Sequence, residues 1–319
     1  MTLIHRTIEA NGMRLHCVEQ GEGPLVLLVH GFPESWYSWR HQLPAIAEAG
    51  YRAVALDVRG YGRSSKPHAV GEYSMLRLAG DVVHAVGALG ESEAILVGHD
   101  WGAPIVWNSA LVRPDLFRGV AGLSVPYSAR SGKRPSRVFS AIAGPDAEFY
   151  IEYFQEPGRA EAEIEKDVRQ WLLGFYWGAS GGPVPNQPPI FRVPHGTELR
   201  DTFVYPETMP DWLSEEDLDF YTAEFERSGF RGPLNRYRNV DLDWVDMTAF
   251  HQSPIVIPSM FLGGEFDGPT LWGATAIERF SESLPQLRFS RIVPGVGHWI
   301  QQEAAEETNA ALLEFFATL

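Results

Sequence analysis

The sequence of 319 residues contains one cysteine, Cys17, and therefore cannot form a disulfide within the chain. A lone cysteine fits a reducing compartment, so we expect a cytoplasmic protein. No apolar run reaches the roughly 18 residues that a membrane-spanning helix needs. No apolar segment follows the basic residues near Met1, so we see no signal peptide.

Positive charge is also scarce. The 26 lysines and arginines face 41 acidic residues, which gives a net charge of −15. Such an acidic chain is a poor partner for nucleic acid or for an anionic membrane. No Gly-x-Gly-x-x-Gly motif follows a strand, and the histidines show no metal-ligand spacing, so we expect no cofactor and no metal.

Short apolar runs that end in glycine-marked turns alternate with helix-like segments. Continuous apolar runs are typical of strands buried on both faces, and their alternation with helices predicts a mostly parallel, doubly wound α/β sheet. A strand pair at the start of the chain turns at Asn11-Gly12. The strand pair covers 4–9 and 13–19, the apolar runs cover 25–29, 53–56, 94–97, 120–125, 255–262 and 288–293, and the helix-like segments cover 39–49, 76–89 and 303–318.

The pattern changes between residues 128 and 253. This stretch is rich in aromatic and acidic residues, has a Gly/Pro-rich loop at 178–194 and contains no run typical of a buried strand. We therefore predict a core formed by residues 1–127 and 254–319, with a mainly helical cap inserted at 128–253.

The pentapeptide GHDWG at residues 98–102 has the layout of a nucleophile elbow, in which glycines flank a reactive residue on a sharp strand-to-helix turn. Asp100 occupies the position of the usual serine, which disfavours a serine esterase. The alternative is an ordinary turn, because aspartate is common in turns.

Two further residues complete a possible triad. Asp267 ends the next-to-last apolar run and His298 follows the last one. Nucleophile, acid and histidine in this order are typical of the α/β-hydrolase fold, which we therefore predict. Asp57, which also follows a predicted strand, is the weaker candidate for the acid.

An aspartate nucleophile restricts the chemistry. A carboxylate needs no base to attack, and displacing a leaving group from a saturated carbon would form an alkyl ester on Asp100. His298, oriented by Asp267, would then activate water against that ester. The backbone N–H groups of Phe32 and Trp101 would form the oxyanion hole.

The leaving group could be an epoxide oxygen or a halide. An epoxide oxygen leaves as an alkoxide and needs a proton, which a tyrosine phenol can donate. The discriminating question is therefore whether the cap provides tyrosines. The cap contains FYIEYFQEPG at 149–158 and GFRGPLNRYRN at 229–239.

These two cap segments resemble those of soluble-type epoxide hydrolases of the α/β-hydrolase superfamily. Together with HGFPESW at 30–36, DVRGYG at 57–62, GHDWG and GHW at 297–299, the resemblance runs nearly from end to end. It implies that Tyr150 and Tyr237 hold and protonate the epoxide oxygen, with Tyr153 as the rival of Tyr150. It also implies a cis bond between Phe32 and Pro33.

The resemblance further implies that Trp36 and Phe154 lie at a largely apolar substrate pocket, which suits a small hydrophobic epoxide and water as the reactants. Arg236 departs from the family pattern, because many relatives have an aromatic residue there. A haloalkane or haloacid dehalogenase with the same Asp-His-Asp triad is the alternative enzyme, and a non-catalytic homologue is the alternative class. The natural epoxide and the oligomeric state are not readable from the sequence.

Overall fold

The computed structural model describes residues 2–130, 132–182 and 191–319. Eight of its strands form one central sheet, and the other two pair with each other elsewhere. The strands are β1 (Ile4–Ala10), β2 (Met13–Gln20), β3 (Leu25–Val29), β4 (Arg52–Leu56), β5 (Ala94–His99), β6 (Phe117–Leu123), β7 (Ala147–Phe149), β8 (Arg192–Pro194), β9 (Ser259–Gly264) and β10 (Leu287–Val293).

The central sheet has the order β1-β2-β4-β3-β5-β6-β9-β10. All neighbours from β4 to β10 pair in parallel, and the hairpin β1-β2 joins the edge at β4 in antiparallel register. The carboxyl ends of β3, β5, β6 and β9 therefore lie side by side. In open α/β sheets these ends are where ligands bind.

The helices cover both faces of this sheet and build the insertion between β6 and β9. Their bounds are α1 (Gln42–Glu48), α2 (Met75–Ala88), α3 (Gly102–Val112), α4 (Pro135–Ala143), α5 (Tyr150–Tyr153), α6 (Arg159–Ile164), α7 (Val168–Ala179), α8 (Glu215–Ser228), α9 (Arg231–Tyr237), α10 (Val240–Asp246), α11 (Gly268–Trp272), α12 (Ala274–Glu278), α13 (Phe280–Ser283), α14 (Ile300–Glu303) and α15 (Ala305–Phe316). Short 3₁₀ helices occur at Trp36–Trp39, Val70–Tyr73, Leu199–Thr202 and Met247–Phe250.

The packing of strand β3 explains why its sequence is continuously apolar. Leu25, Leu27 and Val29 point into an apolar cluster shared with α2 and α3. Val26 and Leu28 point the other way, into a cluster shared with α1 and α15. Both faces are thus buried, and each such side chain contributes about 1.5–3 kcal/mol through the hydrophobic effect.

The predicted strands and helices are present, with differences at their ends. Strand β9 begins at Ser259, four residues later than the apolar run suggested, because Pro258 has no N–H to donate to a neighbouring strand. The first helix-like segment divides into a 3₁₀ turn and α1. The last one divides into α14 and α15 at Ala304, whose φ of −130° and ψ of 58° are not helical.

The insertion between β6 and β9 is mainly helical, as predicted, and comprises α4 to α10. The sequence did not predict its small antiparallel pair, in which Phe149 of β7 lies opposite Arg192 of β8. Strands of three residues are too short to show an alternating pattern. Part of the predicted Gly/Pro-rich loop, residues 183–190, lies outside the described residues. Within the described ranges, no helix has the length and apolarity of a bilayer span.

Candidate active site

Asp100 stands on a sharp turn between β5 and α3, with a backbone φ of +49°. This left-handed conformation is costly for a residue with a side chain. The flanking glycines make the turn possible, because a Cβ on Gly98 would lie 2.3 Å from the oxygen of Gly102. A Cβ on Gly102 would lie 1.9 Å from the oxygen of Val29. The GHDWG segment is therefore an elbow that carries a carboxylate.

His298 lies between two carboxylates. Its Nε2 is 3.4 Å from Oδ2 of Asp100, and its Nδ1 is 2.8 Å from Oδ1 of Asp267. The other oxygen of Asp267 accepts the hydroxyl of Thr270 at 2.6 Å, and Ser124 Oγ lies 3.0 Å from Nδ1 of His298. Asp267 thus orients the imidazole while Nε2 faces the elbow.

The protonation of His298 follows from these neighbours. Burial disfavours the charged imidazole, but the charges of Asp267 and Asp100 and their hydrogen bonds outweigh it and raise the pKa of His298 to about 10. In the resting protein the ring is therefore an imidazolium near neutral pH.

The second oxygen of the Asp100 carboxylate is held by the predicted oxyanion-hole loop. The backbone N–H of Phe32 donates to Oδ1 of Asp100 at 2.7 Å. A Cβ on Gly31 would lie 2.2 Å from that same oxygen, so glycine is needed for this close approach. The Phe32-Pro33 peptide bond is cis, as the resemblance implied. Trp101 follows Asp100 directly at the start of α3.

Two buried phenols lie in the insertion beside this carboxylate. Tyr150 and Tyr237 are 8% and 1% exposed, and their rings meet edge to face at 5.8 Å. The ring of Tyr237 also meets that of Trp101 edge to face at 5.2 Å. Burial raises the pKa of both phenols, and the negative charge of Asp100 raises it further, so both remain protonated donors at neutral pH.

The rival residues have other roles in the structure. The hydroxyl of Tyr153 donates to Glu163 inside the insertion. Asp57 is fully buried and accepts the backbone N–H of Trp36 at 3.0 Å, while its Oδ2 lies 2.7 Å from Nδ1 of His16. Neither residue is placed to act on Asp100 or on His298.

A cavity of about 710 Å³ opens onto the carboxylate and is lined by Asp100, Trp101, Phe139, Tyr150, Ile142 and Trp272 among others. Trp36 does not line this cavity, and its ring packs against His5, Tyr37 and Phe220. Phe154 is also absent from the lining. It is fully buried and packs against both phenol rings, with ring distances of 5.6 Å to Tyr150 and 5.0 Å to Tyr237.

Comparison with known proteins agrees with this geometry. The profile of the alpha/beta hydrolase fold family matches residues 24–155. Epoxide hydrolase B of Mycobacterium tuberculosis is 46% identical over 354 residues, which cover 100% of this chain and 99% of that protein. The chain belongs to the epoxide hydrolases of the α/β-hydrolase superfamily.

Solved structures of epoxide hydrolases share the whole fold. One from an endophytic Streptomyces has a TM-score of 0.96 at 56% identity, and covers 99% of this chain and 95% of its own. Epoxide hydrolase A from Mycobacterium thermoresistibile has a TM-score of 0.92 at 44% identity, and covers 98% of each chain. The family prediction is confirmed, and the dehalogenase alternative is not favoured.

In this epoxide hydrolase a buried ion pair that the sequence analysis missed lies behind the elbow. Nδ1 of His99 is 2.9 Å from Oε2 of Glu34, and Nε2 is 2.7 Å from the carbonyl oxygen of His298. Both ring nitrogens of His99 thus face acceptor oxygens. Burial alone would raise the pKa of Glu34, but the charge of His99 holds it at about 2. The sequence did contain a signal for this pair, because Glu34 lies in the HGFPESW motif and His99 in the GHDWG motif.

Arg236, which the resemblance marked as a departure from the family pattern, is 3% exposed and lies over the ring of Trp101 at 4.7 Å. Its guanidinium donates to the carbonyl of Tyr73 at 2.5 Å and to Asp243. Burial lowers the pKa of Arg236 to about 9. In this member of the family, therefore, a cation packs against the tryptophan that contacts Tyr237.

The segment GASGG at 178–182 also fits the Gly-x-Ser-x-Gly pattern of serine hydrolases. It ends helix α7 and follows no strand, which is not the context of a nucleophile elbow. The hydroxyl of Ser180 donates to the carbonyl of Trp177 at 2.8 Å. The segment therefore provides no second nucleophile.

Proposed function

We propose that this chain converts an epoxide and water into a vicinal diol through a covalent ester on Asp100. The observation that supports the proposal is the placement of one carboxylate on an elbow between a histidine, whose Nε2 is 3.4 Å away, and two buried phenols. A carboxylate is suited to attack carbon, and the phenols are suited to protonate the oxygen that leaves.

In the first step, an oxygen of Asp100 attacks a ring carbon and the bond between that carbon and the epoxide oxygen breaks. Tyr150 and Tyr237 donate hydrogen bonds to the departing oxygen, which takes a proton from one of them. Because their pKa values are raised, both phenols enter the reaction protonated. The product is a hydroxyalkyl ester of Asp100.

Ester formation removes the negative charge of Asp100, and this change prepares the second step. The pKa of His298 falls when that charge is lost, so the imidazolium releases its proton, which converts the phenolate back into a phenol. The neutral imidazole can then take a proton from water as the water attacks the ester carbonyl. The N–H groups of Phe32 and Trp101 stabilise the oxyanion that develops there. Collapse of this intermediate returns the proton to the departing diol.

The cavity above Asp100 supports a hydrophobic substrate, because side chains such as Phe139, Ile142 and Trp272 line it. We propose aromatic or lipid epoxides as the substrate class. A cytoplasmic location remains part of the proposal, because the single cysteine fits a reducing compartment.

Separate incubation with styrene oxide and with bromobutane tests the activity. We expect diol from the epoxide and no bromide from the haloalkane. Asp100→Asn should at first form no ester and no diol, although slow deamidation could restore some activity. Bromide release without diol formation would contradict the proposal in favour of a dehalogenase, and failure on every epoxide tested would favour a non-catalytic homologue.

A further inference from the structure

The backbone around His298 is held by three consecutive N–H groups. The N–H of Gly297 donates to Oε2 of Glu303 at 3.1 Å, and the N–H of Trp299 donates to Oε1 of the same carboxylate at 2.9 Å. Between them, the N–H of His298 donates to the carbonyl of Ala179 at 2.9 Å. One carboxylate thus bridges the two residues that flank the histidine.

The same carboxylate reaches into the insertion. Oε2 of Glu303 also accepts the N–H of Gly181, the second residue after α7, at 2.8 Å. The two segments approach backbone to backbone, because a Cβ on Gly297 would lie 2.2 Å from the carbonyl carbon of Ser180. A Cβ on Gly181 would lie 2.4 Å from the oxygen of Gly295. Side chains are excluded from this crossing, and Glu303 is the acceptor that both segments share.

These contacts are hard to replace. Three backbone donors converge on the carboxylate, and leaving a buried N–H without an acceptor is destabilising. Burial raises the pKa of Glu303, while the three N–H groups and the charge of His298 act in the opposite direction. A glutamine at this position would turn an NH₂ group toward an N–H donor and lose at least one of the three bonds.

We propose that Glu303 is a positioning residue that holds His298 at the distance from Asp100 required for hydrolysis of the ester. The inference rests on the proposed role of His298 as the base of the second step. Ester formation needs Asp100 and the two phenols, so it does not depend on where the imidazole lies. Water activation does depend on it, because a displacement of about 1 Å can slow a reaction by roughly a hundredfold.

The test compares Glu303→Gln with two other variants. Glu163→Gln is the matched control, because Glu163 is 2% exposed and also accepts two backbone N–H groups, those of Leu199 and Arg200 at 3.0 and 2.9 Å, within the insertion. His298→Gln is the reference for a blocked second step. Each folded variant is mixed with excess styrene oxide and quenched at successive times. Mass spectrometry of the whole protein then measures the fraction present as ester.

We expect Glu303→Gln to form ester at the wild-type rate and to hydrolyse it about tenfold to a hundredfold more slowly, so that ester accumulates as it does in His298→Gln. Glu163→Gln should lower stability without accumulating ester. If Glu303→Gln does not fold, Glu303→Asp is measured in its place, with the same accumulation expected.

Wild-type ester hydrolysis in the folded Glu303 variant would overturn the inference, and so would equal slowing of both steps. Absence of ester in His298→Gln is a different failure, because it would overturn the proposed role of the histidine itself.

Discussion

The burial of Tyr150 and Tyr237 fits the role of proton donors that we propose for them. Both rings pack against Phe154, at 5.6 and 5.0 Å, and the ring of Tyr237 also meets that of Trp101 at 5.2 Å. Their raised pKa values keep them protonated until an alkoxide, which is far more basic, develops in the reaction. If both phenols donate to the departing oxygen, as we propose, the loss of either one should slow ester formation.

Replacing Tyr150 or Tyr237 by phenylalanine should slow ester formation by about a hundredfold, because each removes one donor from the departing oxygen. The double variant should be slower still. Tyr153→Phe is the control, because its hydroxyl donates to Glu163 and not into the cavity. Rapid-quench measurement of ester formation distinguishes the variants. An unchanged rate in either single variant would exclude that phenol as a donor.

His298 provides a second test through its titration. Its pKa of about 10 in the folded protein depends on negative charge at Asp100 as well as at Asp267. A negative neighbour stabilises the imidazolium, so Asp100→Asn should lower the pKa of His298 toward its usual value of 6.5. NMR titration of the imidazole in both proteins measures the difference. An equal or higher pKa in the variant would contradict the charge coupling on which the second step depends.

At the scale of single residues, some features of the site could be predicted from the sequence and others could not. The proximity of Asp100, Asp267 and His298 was predictable because each follows a strand in an order typical of the fold. The side-chain direction of Trp36 was not predictable from the sequence, because it is set by packing against Phe220 of α8, far along the chain. The role of Glu303 was equally hidden, because its three donors come from two distant segments.

Among the elements, the connection from β5 to α3 is the most constrained. The helix begins so close to β3 that residue 102 has no room for a Cβ, which would lie 1.9 Å from the oxygen of Val29. This crowding brings the nucleophile to the carboxyl edge of the sheet, next to the loops that follow β3 and β6. The sequence predicted the turn from its glycines, and the structure supplies the contact that requires them.

Gly102→Ala should therefore destabilise the protein by about 1–3 kcal/mol or more, because backbone atoms would have to move. Gly87→Ala is the matched control, since Gly87 lies in helix α2 and a Cβ there would meet nothing within 4 Å. That change should stabilise by about 0.4–1 kcal/mol. Urea unfolding measures both free energies. A fully stable Gly102→Ala protein would show that the elbow tolerates a side chain.

For the molecule as a whole, the order of strands and helices was predictable because buried parallel strands leave continuous apolar runs. The pairing of β7 with β8 was not predictable, because two short segments more than 40 residues apart carry no shared pattern. The insertion and the core meet at the active site. In the site that we propose, the core provides Asp100, His298 and Asp267, and the insertion provides Tyr150 and Tyr237.

The central claim is that the ester on Asp100 is cleaved at its own carbonyl. A single turnover with excess enzyme, in water labelled with heavy oxygen, tests this directly. We predict that the label appears in the carboxylate of Asp100, found by mass spectrometry of the peptide that contains it, while the first diol released is unlabelled. A labelled diol and an unlabelled Asp100 would show that water attacks the epoxide itself, and would contradict the account.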